Sequence, residues 1–253
     1  MTSLIIILSL LLSRTLAAEA APVTEQAPAE GAQAECVILL HGLWRTALSM
    51  KALEWKLSDD GYTVVNVTYP SILQSIEDLA PAAVNRGLAQ CRESGAGPVN
   101  FVTHSLGGIL VRQYLSNHEL LELRRVVMLG PPNQGSEVAD WVDSNELLDV
   151  LAPQAVAQLS KGEESVPLKL GPVDFELGVI AGTVNRRAAL PGIPLLPSDG
   201  TVTVAETQVE GMADFVMIPT SHSFMMWNSA VIYQVQYFLR HGAFDHEHEG
   251  VGG

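Results

Sequence analysis

Apolar residues along this chain gather into short continuous runs, separated by longer stretches with helical spacing. Residues 37–40, Val-Ile-Leu-Leu, form one such run, as expected of a strand buried on both faces. Thr46 is placed to cap a helix reaching about Asp59, with Leu48, Ala52, Trp55 and Leu57 near one face and Gly61 behind it. Residues 63–68 are mostly β-branched and stop at Tyr69-Pro70. Residues 75–92 read as helix, with Pro81 marking a break or a second start. After a Gly- and Pro-containing loop, Val99, Phe101 and Val102 form a further strand that ends at Thr103-His104-Ser105. A helix then opens at Leu106 and reaches about Asn117. Residues 125–129, 176–181 and 214–218 supply three more strands. Residues 228–240 form a closing helix with Val231, Ile232, Val235, Phe238 and Leu239 apolar and Gly242 behind it. Strand-helix alternation of this kind predicts a mostly parallel sheet with helices on both faces and right-handed crossovers.

The rhythm breaks over residues 136–172. Val138, Trp141, Val142, Leu147, Leu148 and Leu151 keep helical spacing, but Pro153, Gly162 and Pro167 divide the segment. Two readings stand: an ordinary crossover helix with loop, or a small helical cap whose apolar side chains meet a substrate.

Composition narrows the class. With 253 residues and 47% hydrophobic content the chain can bury a full core, and α/β folds of this length are routinely one domain. A formal charge of −14 argues against nucleic acid as a partner and disfavours anionic headgroups, since little here would neutralise phosphates. Residues 4–12 form an apolar run far shorter than the ~20 residues needed to cross a bilayer. With Ala18-Glu19-Ala20 behind it, the run fits a cleaved secretory signal over residues 1–20, although no Lys or Arg precedes it. The mature chain is then exported, periplasmic or secreted, with no stable membrane span; an uncleaved N-terminal anchor is the alternative. Residues 21–35 read as a flexible leader. Residues 243–253, including Asp245-His-Glu-His-Glu249, read as a solvated, disordered tail rather than a metal site.

Ser105 carries the candidate chemistry. A serine at the apex of a strand-turn-helix projects its hydroxyl away from the sheet, beside the amide of the next residue, and needs small neighbours two positions before and after. Gly107 meets that demand fully and Thr103 only partly. An exposed serine at a plain strand-helix junction is the ordinary alternative.

Residues 36–242 resemble the α/β-hydrolase superfamily, and within it the bacterial lipase-like branch. The resemblance rests on His41-Gly42-Leu43 after the first strand, Thr-His-Ser-Leu-Gly-Gly at 103–108, Ser198-Asp-Gly-Thr-Val202, and His222 near the end. The serine motif is a variant of the family's Gly-x-Ser-x-Gly, with Thr103 at the first glycine. The resemblance implies an α/β-hydrolase fold with a small helical cap insertion, and a triad in the order Ser105 nucleophile, Asp199 acid, His222 base. In a parallel sheet all strands end at one edge, so these three can meet there. Asp174 and Asp214, the competing acids, precede or begin their strands and so lie at the other edge. The resemblance places the oxyanion donors at the backbone amides of Leu43 and Leu106. Trp44, Trp141 and Leu148 are candidate pocket residues.

The implied activity is hydrolysis of a small-molecule or lipid carboxylic ester through an acyl-enzyme, with no cofactor and no metal. A thioesterase, an amidase or an acyltransferase would use the same triad, because leaving-group choice lies in the pocket. A catalytically silent binding protein is the rival from another class. The resemblance also makes the strands behind Cys36 and Cys91 neighbours. A disulfide between these residues is then possible in an exported protein, and two free buried thiols are the alternative.

Overall fold

The structure, a computed structural model, describes residues 33–137, 154–185 and 196–248. The expected signal, most of the leader, residues 249–253, and Val138, Trp141, Val142, Leu147, Leu148 and Leu151 lie outside the described residues.

Six described strands form one sheet: β1 (Cys36–Leu40), β2 (Thr63–Val67), β3 (Val99–His104), β4 (Leu123–Leu129), β5 (Leu177–Gly182) and β6 (Asp214–Ile218). Their order is β2-β1-β3-β4-β5-β6 and every pairing is parallel. The continuous apolar runs follow from that arrangement, because alternate residues of one strand feed two different cores. On one face Ile38, Leu40, Phe101, Val126, Met128 and Val179 pack with Leu79, Leu88, Ile109 and Leu110. These four come from α2 (Ile76–Glu93) and α3 (Leu106–Leu115). On the other face Val37, Leu39, Val102, Val127, Leu129 and Ile180 pack with Leu53 and Leu57 of α1 (Lys51–Asp59) and Val235 and Phe238 of the closing helix (Ser229–His241). Cys36 at the start of β1 is joined to Cys91 near the end of α2, with Cα atoms 5.8 Å apart. Among the described residues no helix is long and apolar enough to cross a membrane.

Three local expectations are corrected. The helix expected from Thr46 begins as a 3-10 turn, Ala47–Met50, and Thr46 makes no side-chain capping bond. Its buried face is Met50, Leu53 and Leu57, whereas Leu48 and Trp55 stand outside the core. Trp55 is two residues from both Leu53 and Leu57, and two residues turn a helix by about 200°, which puts the ring on the opposite side. Second, α2 runs unbroken through Pro81. Ser75 caps it by accepting from the amide of Asp78 at 3.2 Å. The apolar side chains buried on both sides of the proline, among them Leu79, Ala83, Val84 and Leu88, outweigh the ~3 kcal/mol that an internal proline costs.

Third, the packed domain continues past Gly242, where a solvated tail was expected. Gly242 takes a left-handed φ of +76° and donates its amide to Phe238 O at 2.8 Å. Phe244 then folds back onto Phe238, ring centroids 4.9 Å apart. Its amide donates to the Asp214 carboxylate at 2.7 Å, and Gln234 and Asp245 exchange two hydrogen bonds of 2.8 and 2.9 Å.

Candidate active site

β3 delivers Ser105 to the C-terminal edge of the sheet. The Ser105 amide still donates to Leu129 O at 2.9 Å, so the ladder with β4 runs up to the turn itself. There the backbone reverses: Ser105 has φ +52° and ψ −119°, a strained conformation for a side-chain-bearing residue. Gly107 is required because a Cβ would lie 2.5 Å from Leu40 O. The second glycine explains the variant motif. A Cβ on Gly108 would lie 3.2 Å from Thr103 Oγ1 and 3.0 Å from Met128 Sδ. Its absence makes room for a threonine where the family has glycine. Ser105 lines a cavity of about 410 Å³ together with Leu43, Trp44, Arg45, Val156, Leu159, Val202 and His222.

His222 follows β6 and opens a 3-10 turn, His222–Trp227. Asp199 sits in the loop closed by the Ser198–Thr203 bridge. Asp199 Oδ1 accepts from the amides of Thr201 at 2.9 Å and Val202 at 2.8 Å. Its Oδ2 lies 2.6 Å from His222 Nδ1, and its carbonyl oxygen accepts the His222 amide at 3.0 Å. Nδ1–H therefore donates to the carboxylate, which leaves Nε2 outside that bond. Asp214 is elsewhere, at the start of β6, accepting from the amides of Phe215 and Phe244.

Two further histidines brace these loops. His104 Nε2–H donates to His222 O at 3.0 Å, and the two rings lie 4.6 Å apart. Burial, helped by His222 and Arg45, holds His104 well below the usual histidine range, so it is neutral. Its Nδ1 has no hydrogen-bond partner among the described residues and faces Gly42, where a Cβ would lie 2.7 Å away. His41 stacks on Tyr69 at 4.0 Å, donates Nδ1–H to Gly42 O at 2.9 Å, and is also held low by burial. Tyr69 donates its hydroxyl to His41 O, and burial pushes the phenol up. The loop bearing Leu43 and Trp44 is thereby fixed from below. Trp44 itself has φ +55° and is exposed. Arg45 Nη2 donates to Ser223 Oγ at 2.8 Å, tying this loop to the turn that carries His222.

The structure thus brings Ser105, Asp199, His222, Leu43, Leu106 and Trp44 to one edge, while Trp141 and Leu148 lie outside the described residues. From the expected cap segment, helix Gln154–Leu159 contributes Val156 and Leu159 to the cavity wall, with Ala155 and Leu159 also in the core. Sequence reasoning missed these two, and it missed Gly130. At the end of β4 Gly130 has φ +53°, and a Cβ there would lie 2.9 Å from Asp199 Oδ2 and 3.1 Å from His222 Nδ1. The Asp199–His222 pair packs against bare backbone. The signal was the Gly-Pro-Pro that ends β4. Among the described residues no group of three or more His, Cys, Asp or Glu side chains could hold a metal ion.

The alpha/beta hydrolase family model matches residues 37–232, most of the chain. The chain belongs to the alpha/beta hydrolase family. Solved structures share its fold. A metagenomic carboxyl esterase aligns with a TM-score of 0.62 and 20% identity, covering 82% of this chain and 70% of that one. The mature lipase of Bacillus licheniformis aligns with a TM-score of 0.60 and 20% identity over 87% of this chain and 95% of that one. A phospholipase of Legionella pneumophila aligns with a TM-score of 0.61 and 19% identity over 74% of this chain and 52% of that one. The hydrolase spans about half the length of that phospholipase. No curated protein matches its sequence.

Proposed function

We propose that this hydrolase cleaves carboxylic esters through an acyl-enzyme on Ser105. One observation carries the reading: a strained, outward-turned serine and a carboxylate-paired histidine open onto the same largely apolar cavity. His222 Nε2 takes the Ser105 proton as Oγ bonds to the substrate carbonyl carbon, and Asp199 holds the resulting imidazolium. The carbonyl oxygen becomes an oxyanion that the amides of Leu43 and Leu106 receive. Each such donor contributes about 3 kcal/mol to lowering the barrier. Collapse of this intermediate expels the alcohol, which takes its proton from His222. Water then attacks the acyl-enzyme by the same route and frees the acid.

Leu43, Val156, Leu159 and Val202 offer an acyl chain an apolar wall, which supports esters of medium or longer chains over acetate. The same machinery serves thioesters, amides and acyl transfer, and turnover of matched ester, thioester and amide substrates ranks these. The Cys36–Cys91 bond and the apolar run at residues 4–12 support export to an oxidising compartment. The experiment is hydrolysis of p-nitrophenyl esters graded from acetate to dodecanoate, by the native chain and by Ser105→Ala. Turnover no greater than that of Ser105→Ala on every ester would overturn the proposal.

A further inference from the structure

Arg45 lines the Ser105 cavity with most of its guanidinium unused. It also lines a neighbouring groove of about 500 Å³, and Trp44, Arg45 and Ser223 are common to both, so the two spaces are continuous. Its side chain makes one hydrogen bond, Nη2 to Ser223 Oγ at 2.8 Å, and no ion pair among the described residues. A guanidinium has further N–H donors in a flat, permanently charged fork, and these are left over. Asp and Glu outnumber Lys and Arg by 28 to 14 in this chain, yet no described carboxylate lines either space. Arg45 is the only lysine or arginine among their described lining residues.

The backbone is bent to hold the arginine there. Trp44 and Ser105 are the two described non-glycine residues with positive φ, at +55° and +52°. Such a conformation is costly, persists only where its surroundings enforce it, and clusters at functional sites. At Trp44 the core gains nothing from it, since the ring is exposed. The Arg45 amide closes this turn by donating to Gly42 O at 3.2 Å, and the side chain reaches Ser223.

Position decides which half of an ester meets the charge. His222 hands its proton to the departing alcohol, and Arg45 is bonded to the next residue, Ser223. Val156, Leu159 and Val202, the wall offered to the acyl chain, line the cavity and not the groove. The groove beyond Arg45, with the rings of Trp44 and Trp227 in its lining, is left for the alcohol. The chain's −14 does not forbid an anion here, because charges farther away than about 8 Å are largely screened at physiological salt. One guanidinium balances one negative charge, and its fork takes both oxygens of a carboxylate. A dianion such as a phosphate monoester would carry a second charge that no described lining residue meets.

We propose that Arg45 determines specificity for the alcohol half of the substrate by pairing with a carboxylate on it. The substrate class is then an acyl ester of a hydroxycarboxylic acid, with the acyl chain in the cavity and the acid in the groove. This rests on the ester-hydrolase reading.

The test compares para-hexanoyloxybenzoate with its uncharged counterpart, para-hexanoyloxybenzamide, as the ratio of their kcat/KM values. A ratio taken on one preparation is independent of how much of it folds. Arg45→Gln should lower the ratio roughly tenfold, mainly through KM of the benzoate, whereas Arg45→Lys should keep most of it. Ser223→Ala removes the 2.8 Å bond but keeps the charge, and should change the ratio by less than about twofold. Raising salt from about 20 mM to about 500 mM should lower the ratio for the native chain and not for Arg45→Gln. An unchanged ratio in Arg45→Gln, or an equal fall in Ser223→Ala, overturns the proposal. A fall that appears instead between para-nitrophenyl hydrogen glutarate and para-nitrophenyl pentanoate puts the anion on the acyl side and overturns it. A larger effect of Arg45→Gln on para-hexanoyloxyphenyl phosphate than on the benzoate overturns the choice of a carboxylate. Equilibrium dialysis of para-hexanoyloxybenzoate against Ser105→Ala protein, with and without Arg45→Gln, reads recognition without turnover. Roughly tenfold weaker retention with Arg45→Gln but no turnover of any ester by the native chain would fault the catalytic reading alone. Turnover with equal retention would fault the role of Arg45 alone.

Discussion

His222 is tied to Asp199 at two points: its Nδ1–H donates to Oδ2 over 2.6 Å, and its backbone amide donates to the Asp199 carbonyl oxygen over 3.0 Å. The imidazole and the chain that carries it are fixed to one residue, so the ring cannot turn without moving the loop. The carboxylate is fixed in turn, because Oδ1 accepts the amides of Thr201 and Val202. Asp199→Asn separates geometry from protonation. Asparagine keeps an oxygen for those amides but offers Nδ1 an NH₂ group, which forces the proton to Nε2, the wrong tautomer for a base. A loss of about 10⁴ in kcat is expected with little change in melting temperature. A loss below tenfold would remove Asp199 from the mechanism. Asp214→Asn is expected to leave kcat unchanged.

Stability should fall in mild acid because of two buried histidines. Burial holds both His41 and His104 below the ordinary value of 6.5 in the folded chain. Unfolded, each takes up a proton as pH falls through about 6.5, whereas folded it stays neutral to lower pH. The unfolded chain therefore binds more protons below that pH, and stability is lost by up to about 1.4 kcal/mol per pH unit for each group. In urea titrations between pH 7.5 and 5, His104→Gln, which keeps an N–H for His222 O, should flatten the slope. An unchanged slope would mean that His104 is not held neutral.

Much of this was legible in the chain, for a physical reason. A strand buried on both faces shows as an unbroken apolar run, and β1 and the last four residues of β4 read that way. The serine turn, the Asp199 loop and His222 stood in the family's order, so the residues that meet at this edge of the sheet could be named. What escaped were properties that exist only in three dimensions. The exposure of Trp55 depends on where α1 starts its phase. The burial of Phe244 depends on a ring from the closing helix to fold against. Gly130 matters only because Asp199 and His222 stack above it, and Val156 and Leu159 line the cavity because their helix folds back over it.

Chain-length preference should respond to the cavity wall. Each methylene buried contributes about 0.8 kcal/mol, about fourfold in kcat/KM. Val156→Phe fills part of the cavity that Val156 lines. Displacing two methylenes would lower the octanoate-to-acetate ratio of kcat/KM roughly fifteenfold. An equal loss on both esters, with a lowered melting temperature, would mean that Val156 serves packing and not the substrate.

The Cys36–Cys91 bond closes a loop with a sequence separation of 55. On chain entropy alone such a loop stabilises by about 4 kcal/mol. Native protein denatured without reductant should show no free thiol, and Cys36→Ala with Cys91→Ala should lower the unfolding free energy by an amount of that order. Two free thiols in the native protein would contradict the pairing.

The central claim is that Ser105 is the nucleophile and His222 its base. The most direct measurement is the intact mass of the protein after treatment with a fluorophosphonate, followed by peptide mapping. One adduct per chain, on Ser105, is expected, together with loss of ester turnover in step with labelling and very slow labelling of His222→Ala. No adduct, or an adduct on another residue while Ser105 stays unmodified and turnover persists, would contradict the account.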